Sequence, residues 1–421
     1  MKSIVEAIKN PFLSYPDKTE RFVYLLIFLF PIAGMSVRSW ITTIFNILVL
    51  IGLFALRRNA PPLIKYEKIF LWICAAYFSM YIVSALVNDW GPVQTRYLGT
   101  ELRFILIIPL YLLVRQYSDC AVWLLRGSVV AGFFLLSQAL YDIFVMGHAT
   151  ALGVYSKNII GPFSVLVGFW GLYLFWQNRS NYKWFLSFAI LLSVLSALIA
   201  AALSGSRGGY VGFLITGLSC VLFFSRPRWM LASLLVIFLT TFLFYQNVSI
   251  VNNGVNKAVD EAAQYIKSDE LEKNKSSLTP TGVRLEMLRS GYLFVRDNPL
   301  FGIGPGNYKK RIGRYIEEGK INYKVGFYAH PHNTFMEVAS AKGLLGLITV
   351  LLLFYYPAYI FIKGYKLCKK TASLGLIHIV AISAFSLTDH SVVLMNNYTS
   401  ILLLGMAIFI SNHIRACKQH L

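Results

Sequence analysis

In the segment HPHNTFMEVASAKGLLGL, residues 330–347, two histidines flank a proline and an asparagine follows, just before the chain turns apolar. An imidazole that is neutral near pH 7 can take a proton from a hydroxyl within reach, so His330 or His332 suits general base catalysis. These residues alone leave open which of the two it is. A metal site asks for more. Zinc recruits three or four ligands, whereas this segment offers two imidazoles, no cysteine, and one carboxylate, Glu337, already inside the next helix. We expect no metal and no cofactor.

The other side chains with chemical potential are arginines. LSGSRGGYVG places Arg207 in a turn of small residues, where backbone or ligand can approach closely. Two readings stand: a guanidinium pointing into a cavity, and an interfacial arginine snorkelling to lipid head groups. Arg284 and Arg289 lie on the second helical stretch of a long polar segment, and Arg96 and Arg103 lie in NDWGPVQTRYLGTELR. Lys309, Lys310, Arg311 and Arg314 form a basic run that reads as a solvated helix face. Together they put positive charge on one side of the chain, which suits an anionic ligand. Arginine forks match phosphate oxygens bidentately, and a lipid-linked pyrophosphate floats at the head-group level.

The elements that must position these groups are membrane spans. Hydrophobic residues make up 57% of the 421 residues and charged ones 14%, against about 25% charge in a soluble domain. Mean hydropathy is +0.59. The apolar blocks have the length that crosses ~30 Å of hydrocarbon. Twelve spans are expected, near 22–37, 40–56, 69–87, 104–117, 121–145, 158–176, 185–203, 210–224, 229–245, 336–362, 371–387 and 398–412. The first twenty residues are polar and lack a small-residue cleavage pattern, so the first span is expected to direct insertion. Lys and Arg cluster in four connections: Arg57, Arg58, Lys65 and Lys68; Arg179 and Lys183; Arg226 and Arg228; Lys363, Lys366, Lys369 and Lys370. With twelve spans all four fall on the side of both termini, which makes that side cytoplasmic.

The formal charge of +20 follows from this positive-inside pattern and contacts to anionic lipid, so nucleic acid is not expected as a partner. The cysteines, Cys74, Cys120, Cys220, Cys368 and Cys417, lie in spans or at their cytoplasmic ends, which predicts no disulfide framework. The expected fold is thus an all-α integral membrane protein. Residues 1–245 hold spans one to nine, 246–335 form a large helical loop outside, and 336–421 hold spans ten to twelve with a cytoplasmic C-terminus. The loop carries nine of the nineteen carboxylates. Helical spacing marks 255–274, and an amphipathic helix fits 281–302, broken at Asn298-Pro299. GIGPGNY, residues 302–308, reads as a turn after that helix, since no strand precedes it and the phosphate-loop lysine pattern is absent. No matching pair of interrupted spans points to a transporter.

These residues also carry a family resemblance. HNTFMEVASAKGLLG fits His-Asn, nine residues, then Gly-x-x-Gly, and so resembles the signature of O-antigen ligases. SGSRGGYVGF and the arginine-bearing stretch through NPLFGIGPGNY resemble two further blocks of the wider superfamily, which includes O-antigen polymerases. The likeness covers roughly residues 190–350.

The resemblance implies that His332 is the essential histidine, with Arg207 and Arg284 as the two essential arginines and Asn333, Gly343 and Gly346 completing the motif. Arg289, Arg96, Arg103 and His330 join Asn333 as expected substrate-binding residues. Asp389, in LTDHSVV, is expected to orient or bind. It further implies a fold like that of C-type membrane glycosyltransferases and a multi-pass place in the bacterial inner membrane. The implied reaction is metal-independent transfer, at the periplasmic face, of a glycan from undecaprenyl pyrophosphate to a sugar hydroxyl of the lipid A core. Two alternatives stand beside this one: a polymerase, which would use a second lipid-linked glycan as acceptor, and a lipid or solute transporter. A transporter would keep ionisable groups deep in its spans, where Arg126, Asp142 and His378 are the candidates.

Overall fold

A computed structural model describes residues 15, 17–55, 62–178, 183–224, 230–235, 238, 239, 242, 246, 249–269, 278–389 and 391–418. Among them the regular structure is helical. The first nine helices are α1 (Lys18–Leu29), α2 (Trp40–Ala55), α3 (Lys65–Val87), α4 (Pro92–Glu101), α5 (Arg103–Val114), α6 (Cys120–Leu140), α7 (Lys157–Asn178), α8 (Trp184–Ser204) and α9 (Arg207–Phe224). Then come α10 (Ser249–Lys267), α11 (Pro280–Asp297), α12 (Tyr308–Glu317), α13 (Thr334–Lys363), α14 (Lys369–Thr388) and α15 (Asn396–Lys418).

Eight helices among the described residues are long and apolar enough to cross a membrane, and two shorter ones, Trp40–Phe54 and Arg207–Leu222, are apolar as well. Of the span expected at 229–245, residues 230–235, 238, 239 and 242 are described and are helical, and the others lie outside the described residues. The fourth span starts earlier than hydropathy suggests. Polar Thr100 and Glu101 interrupt the apolar run, yet the helical path is continuous from Pro92 to Val114. Helix α7 is central, with 83% of its apolar window buried, against 39% for α8 at the periphery. Large apolar side chains such as Phe54, Trp72, Phe144, Trp184 and Phe188 face outward. That inverted pattern suits hydrocarbon as solvent, where satisfying the backbone within helices matters more than hiding apolar surface.

Helices α10 to α12 surround a second, smaller core of Val283, Met287, Phe294, Ile303, Tyr308, Ile312 and Tyr315. Glu286, fully buried, ties it together. Its carboxylate accepts hydrogen bonds from Tyr265 of α10, from Arg289 at 2.9 Å and from the Asn322 amide at 3.1 Å. Charge-assisted bonds of this kind are roughly twice as strong as neutral ones.

The apolar run expected as one span at 336–362 is interrupted. Within α13, Gly343 has φ 70° and ψ −170°, a region open essentially to glycine alone. The carbonyls freed at this break are taken by the glycine-rich turn that follows α11. The amides of Ile303 and Gly304 donate to Ser340 and Ala341 at 2.9 and 3.0 Å, and Leu344 donates to Pro299 at 2.8 Å. On α3, the Ser84 hydroxyl contacts the carbonyls of Phe301 and Ala341, each at 2.7 Å. The segment GIGPGNY is therefore a turn with a task, stitching the polar loop into a broken helix beneath the histidines.

Candidate active site

Three helix starts carry the candidate residues. α8 ends on Gly205, left-handed at φ 62°, and Ser206 follows with its hydroxyl accepting from the Gly209 amide at 3.3 Å. This cap makes Arg207 the first residue of α9. Close packing explains the small residues around it. A Cβ on Gly208 would press on the Thr388 hydroxyl at 2.7 Å, and one on Gly209 would meet the Gly161 backbone at 3.3 Å. Arg284 stands one turn into α11, whose cap is the Thr279 hydroxyl. His332 precedes Asn333, the cap of α13, whose side chain accepts from the Met336 amide at 2.9 Å and donates to the Leu387 carbonyl at 2.9 Å. Helix N-termini favour anions, because unpaired amides and the macrodipole both present positive charge.

The three starts meet around Asp389, just past the end of α14. His332 Nδ1 stands 3.9 Å from Asp389 Oδ1. The Thr334 hydroxyl donates to the Asp389 carbonyl at 2.8 Å, which fixes the two segments against each other. His332 itself has φ 50°, unusual for a non-glycine residue and costly by about 1–3 kcal/mol. Asn333, bonded on both sides, holds that conformation. The imidazole also packs edge-on to Tyr328 and His330, with centroids 5.8 and 4.7 Å apart. A small open pocket is lined by Asn158, Pro162, Ser206, Gly208, Arg284, Thr388 and Asp389.

The arginines differ sharply in their partners. Arg207 is exposed and Arg284 half-buried, and neither makes a hydrogen bond or ion pair among the described residues. Burial, and next the nearby Arg207 guanidinium, hold Arg284 below the ordinary arginine value, while Asp389 and Tyr328 pull the other way. Two guanidiniums this close, with neither held in an ion pair among the described residues, suit an anion. Arg289, by contrast, is engaged by Glu286 and by the Lys320 carbonyl at 3.0 Å, and so supports the loop core. Arg103 is buried against Gly99, Asn396 and Ser400, pinning α5 to α15. Arg96 is exposed on α4. Gly343 forms the helix break, and Gly346 packs where a Cβ would strike Lys342.

Sequence reasoning missed Tyr328 beside the histidine and Glu261 of α10, whose carboxylate feels Arg207. It also missed the charged residues within the spans. Glu67 pairs with Arg115 at 3.1 Å, and Lys342 pairs with Glu101 at 2.8 Å. The ionisable groups noted from sequence are tied locally. Arg126 lies over Trp123 at 4.7 Å, Asp142 accepts from the amides of Leu152 and Gly153, and His378 stacks on Trp170 at 5.7 Å.

Residues 191–351 match the model of the O-antigen ligase family. The chain is 23% identical to the O-antigen ligase of Escherichia coli (strain K12) over 386 residues, 86% of this chain and 87% of that protein. It is 24% identical to a protein of Haemophilus influenzae over 319 residues, 72% of this chain and 76% of that one. It is thus the O-antigen ligase family that this chain resembles, and the matched segment holds Arg207, Arg284 and His332.

Proposed function

We propose that the protein is a membrane glycosyltransferase that moves a glycan from undecaprenyl pyrophosphate to a sugar hydroxyl of the lipid A core, at the periplasmic face of the bacterial inner membrane. The observation that carries this reading is Arg284 sharing a pocket with Asp389, with the Arg207 guanidinium close enough to be felt by Arg284 and His332 beside Asp389. A sugar–pyrophosphate bond already holds a good leaving group. The protein needs to grip the diphosphate, spread its developing charge and aim a hydroxyl at the anomeric carbon. Donors placed where charge develops contribute about 3–4 kcal/mol each.

Arg207 and Arg284 clasp the diphosphate and supply the charge neutralisation that a divalent cation would otherwise bring. His332, steered by Asp389, takes the acceptor's proton as its oxygen attacks the face opposite the departing diphosphate, inverting the anomeric centre. The separation of 3.9 Å is longer than a hydrogen bond, and such contacts commonly tighten once substrate is bound. The twelve spans expected from the sequence would put these groups outside.

A polymerase would share this chemistry and differ only in the acceptor. The test is transfer by purified protein from a lipid-linked donor, offered either core-lipid or a second lipid-linked glycan. Product on core-lipid alone is expected; elongation of the lipid-linked glycan alone would make the protein a polymerase. A transporter would show neither product.

A further inference from the structure

A fourth helix start reaches the site. The pocket lined by Arg284 and Asp389 is also lined by Asn158 and Pro162, from the first turns of α7. Close packing holds this start against that of α9. A Cβ on Gly161 would press on the Ser204 hydroxyl at 2.5 Å and on Ser206 Cβ at 2.7 Å. One on Gly209 would meet the Gly161 backbone at 3.3 Å. The same turn is tied to α15, where the Tyr398 hydroxyl donates to the Ile159 carbonyl at 2.7 Å. The backbone that carries Asn158 is therefore pinned by two neighbouring helices.

Its side chain, by contrast, is unspent. Asn158 is half-buried, so part of it stays open to a ligand, and its amide makes no hydrogen bond among the described residues. Elsewhere in the lining, the Ser206 hydroxyl accepts from the Gly209 amide and the Thr388 hydroxyl donates to the Phe385 carbonyl at 3.1 Å. Asn158 and Arg284 are the lining side chains that bear N–H donors, and both donor groups are free among the described residues. The start of α7 adds the positive potential of a helix N-terminus. An amide also suits this place better than a further cation would. The Arg207 guanidinium already works against the charge on Arg284, and a third positive group would add to that repulsion. An amide donates without adding charge, and its neutrality tolerates both an anion and the Asp389 carboxylate.

We propose that Asn158 is a further substrate-binding residue, whose side-chain amide donates to an oxygen of the diphosphate that Arg284 grips. The inference rests on the function proposed above, and it makes the start of α7 part of the leaving-group site.

The test is titration of farnesyl pyrophosphate into the full chain in nanodiscs of zwitterionic lipid. Wild type is compared with Asn158→Ala, Asn158→Asp, Asn158→Gln and Arg284→Gln. Loss of a hydrogen bond to a charged group should weaken binding by about tenfold in Asn158→Ala. Asn158→Asp, which sets a carboxylate against the diphosphate, should bind more weakly still. Asn158→Gln keeps the donor on a longer arm and should retain more binding than Asn158→Ala, an order that a merely structural role would not produce. If Asn158→Ala binds as wild type does while Arg284→Gln binds weakly, this inference is overturned and the functional reading stands. Unchanged probe binding with a raised KM for core-lipid overturns it too, by moving Asn158 to the acceptor. A wild-type protein that does not bind the probe sinks the functional reading, and this inference with it.

Discussion

His332 Nδ1 and Asp389 Oδ1 lie 3.9 Å apart, joining the loop before α13 to the end of α14. Their chain separation of 57 residues makes this a product of the fold, since α14 must return antiparallel to α13 to bring the carboxylate back. The relationship separates two roles. The imidazole takes the proton and the carboxylate steers the ring. His332→Ala should lower kcat by about 10²–10⁴-fold, the usual worth of general base catalysis, and Asp389→Asn by less. Transfer kinetics with purified protein check both, and an Asp389→Asn loss larger than that of His332→Ala would reverse the roles.

Gly343 predicts a stability effect. An alanine there would have to adopt φ 70°, and its Cβ would collide with the Leu300 carbonyl. The cost should be about 3 kcal/mol or more, combining backbone strain with loss of the stitched turn. Thermal unfolding in detergent should show a clearly lower transition for Gly343→Ala, while Gly313→Ala on α12, where a Cβ meets nothing within 4 Å, should be nearly neutral. Equal transitions would mean that the break carries no strain.

The buried Lys342–Glu101 pair gives a third expectation. Removing one partner leaves a charge unpaired in a span, at a cost of about 3–5 kcal/mol, whereas removing both is often close to neutral. Lys342→Met should therefore unfold well below wild type, and Lys342→Met with Glu101→Leu should recover most of the loss. If the double variant is as unstable as the single one, the pair is not coupled as its 2.8 Å contact implies.

Acid should loosen the polar loop before the bundle. Asp297 is held below the usual carboxylate range by its hydrogen bond from Arg296 and then by Tyr315. Glu261 is lowered by hydrogen bonding from Thr281, with Lys257 and Arg207 adding to it. A depressed carboxylate stabilises the fold above its unfolded value and loses that contribution as pH falls through the folded one. Hydrogen exchange across 280–317 should thus quicken below about pH 4, with the spans still protected. Unchanged exchange at that pH would show that these carboxylates do not hold the loop.

Candidate residues were easier to single out in the sequence than the contacts around them. Arg207 and His332 stand out through glycine neighbours and a motif spacing, and Arg284 through the family resemblance; the structure puts His332 beside Asp389 and Arg284 in a pocket that Asp389 also lines. Eight of the twelve expected spans correspond to long apolar helices among the described residues, and those at 40–56 and 210–224 to shorter ones. The span expected at 22–37 meets only the twelve-residue α1, which ends at Leu29 just before Pro31. The break at Gly343 was not legible, because K-G-L-L-G keeps the hydropathy of a continuous helix and its carbonyls are satisfied from a turn some forty residues earlier. Lys342 and Glu101 escaped for the same reason. Each looks like an isolated charge near a span's end, and only tertiary packing brings together residues 241 positions apart. Arg289 and Arg103 show the converse, since their type suggested ligand binding but local carbonyls and side chains occupy them.

The central claim divides labour between two guanidiniums that bind and an imidazole that reacts. Titration of a short-chain polyprenyl pyrophosphate into nanodisc-held protein tests it most directly, comparing wild type with Arg207→Gln, Arg284→Gln and His332→Ala. We expect each arginine variant to bind at least about tenfold more weakly, as loss of a charge-assisted contact requires, and His332→Ala to bind as wild type does. Undiminished binding in both arginine variants, or a loss confined to His332→Ala, would contradict the account.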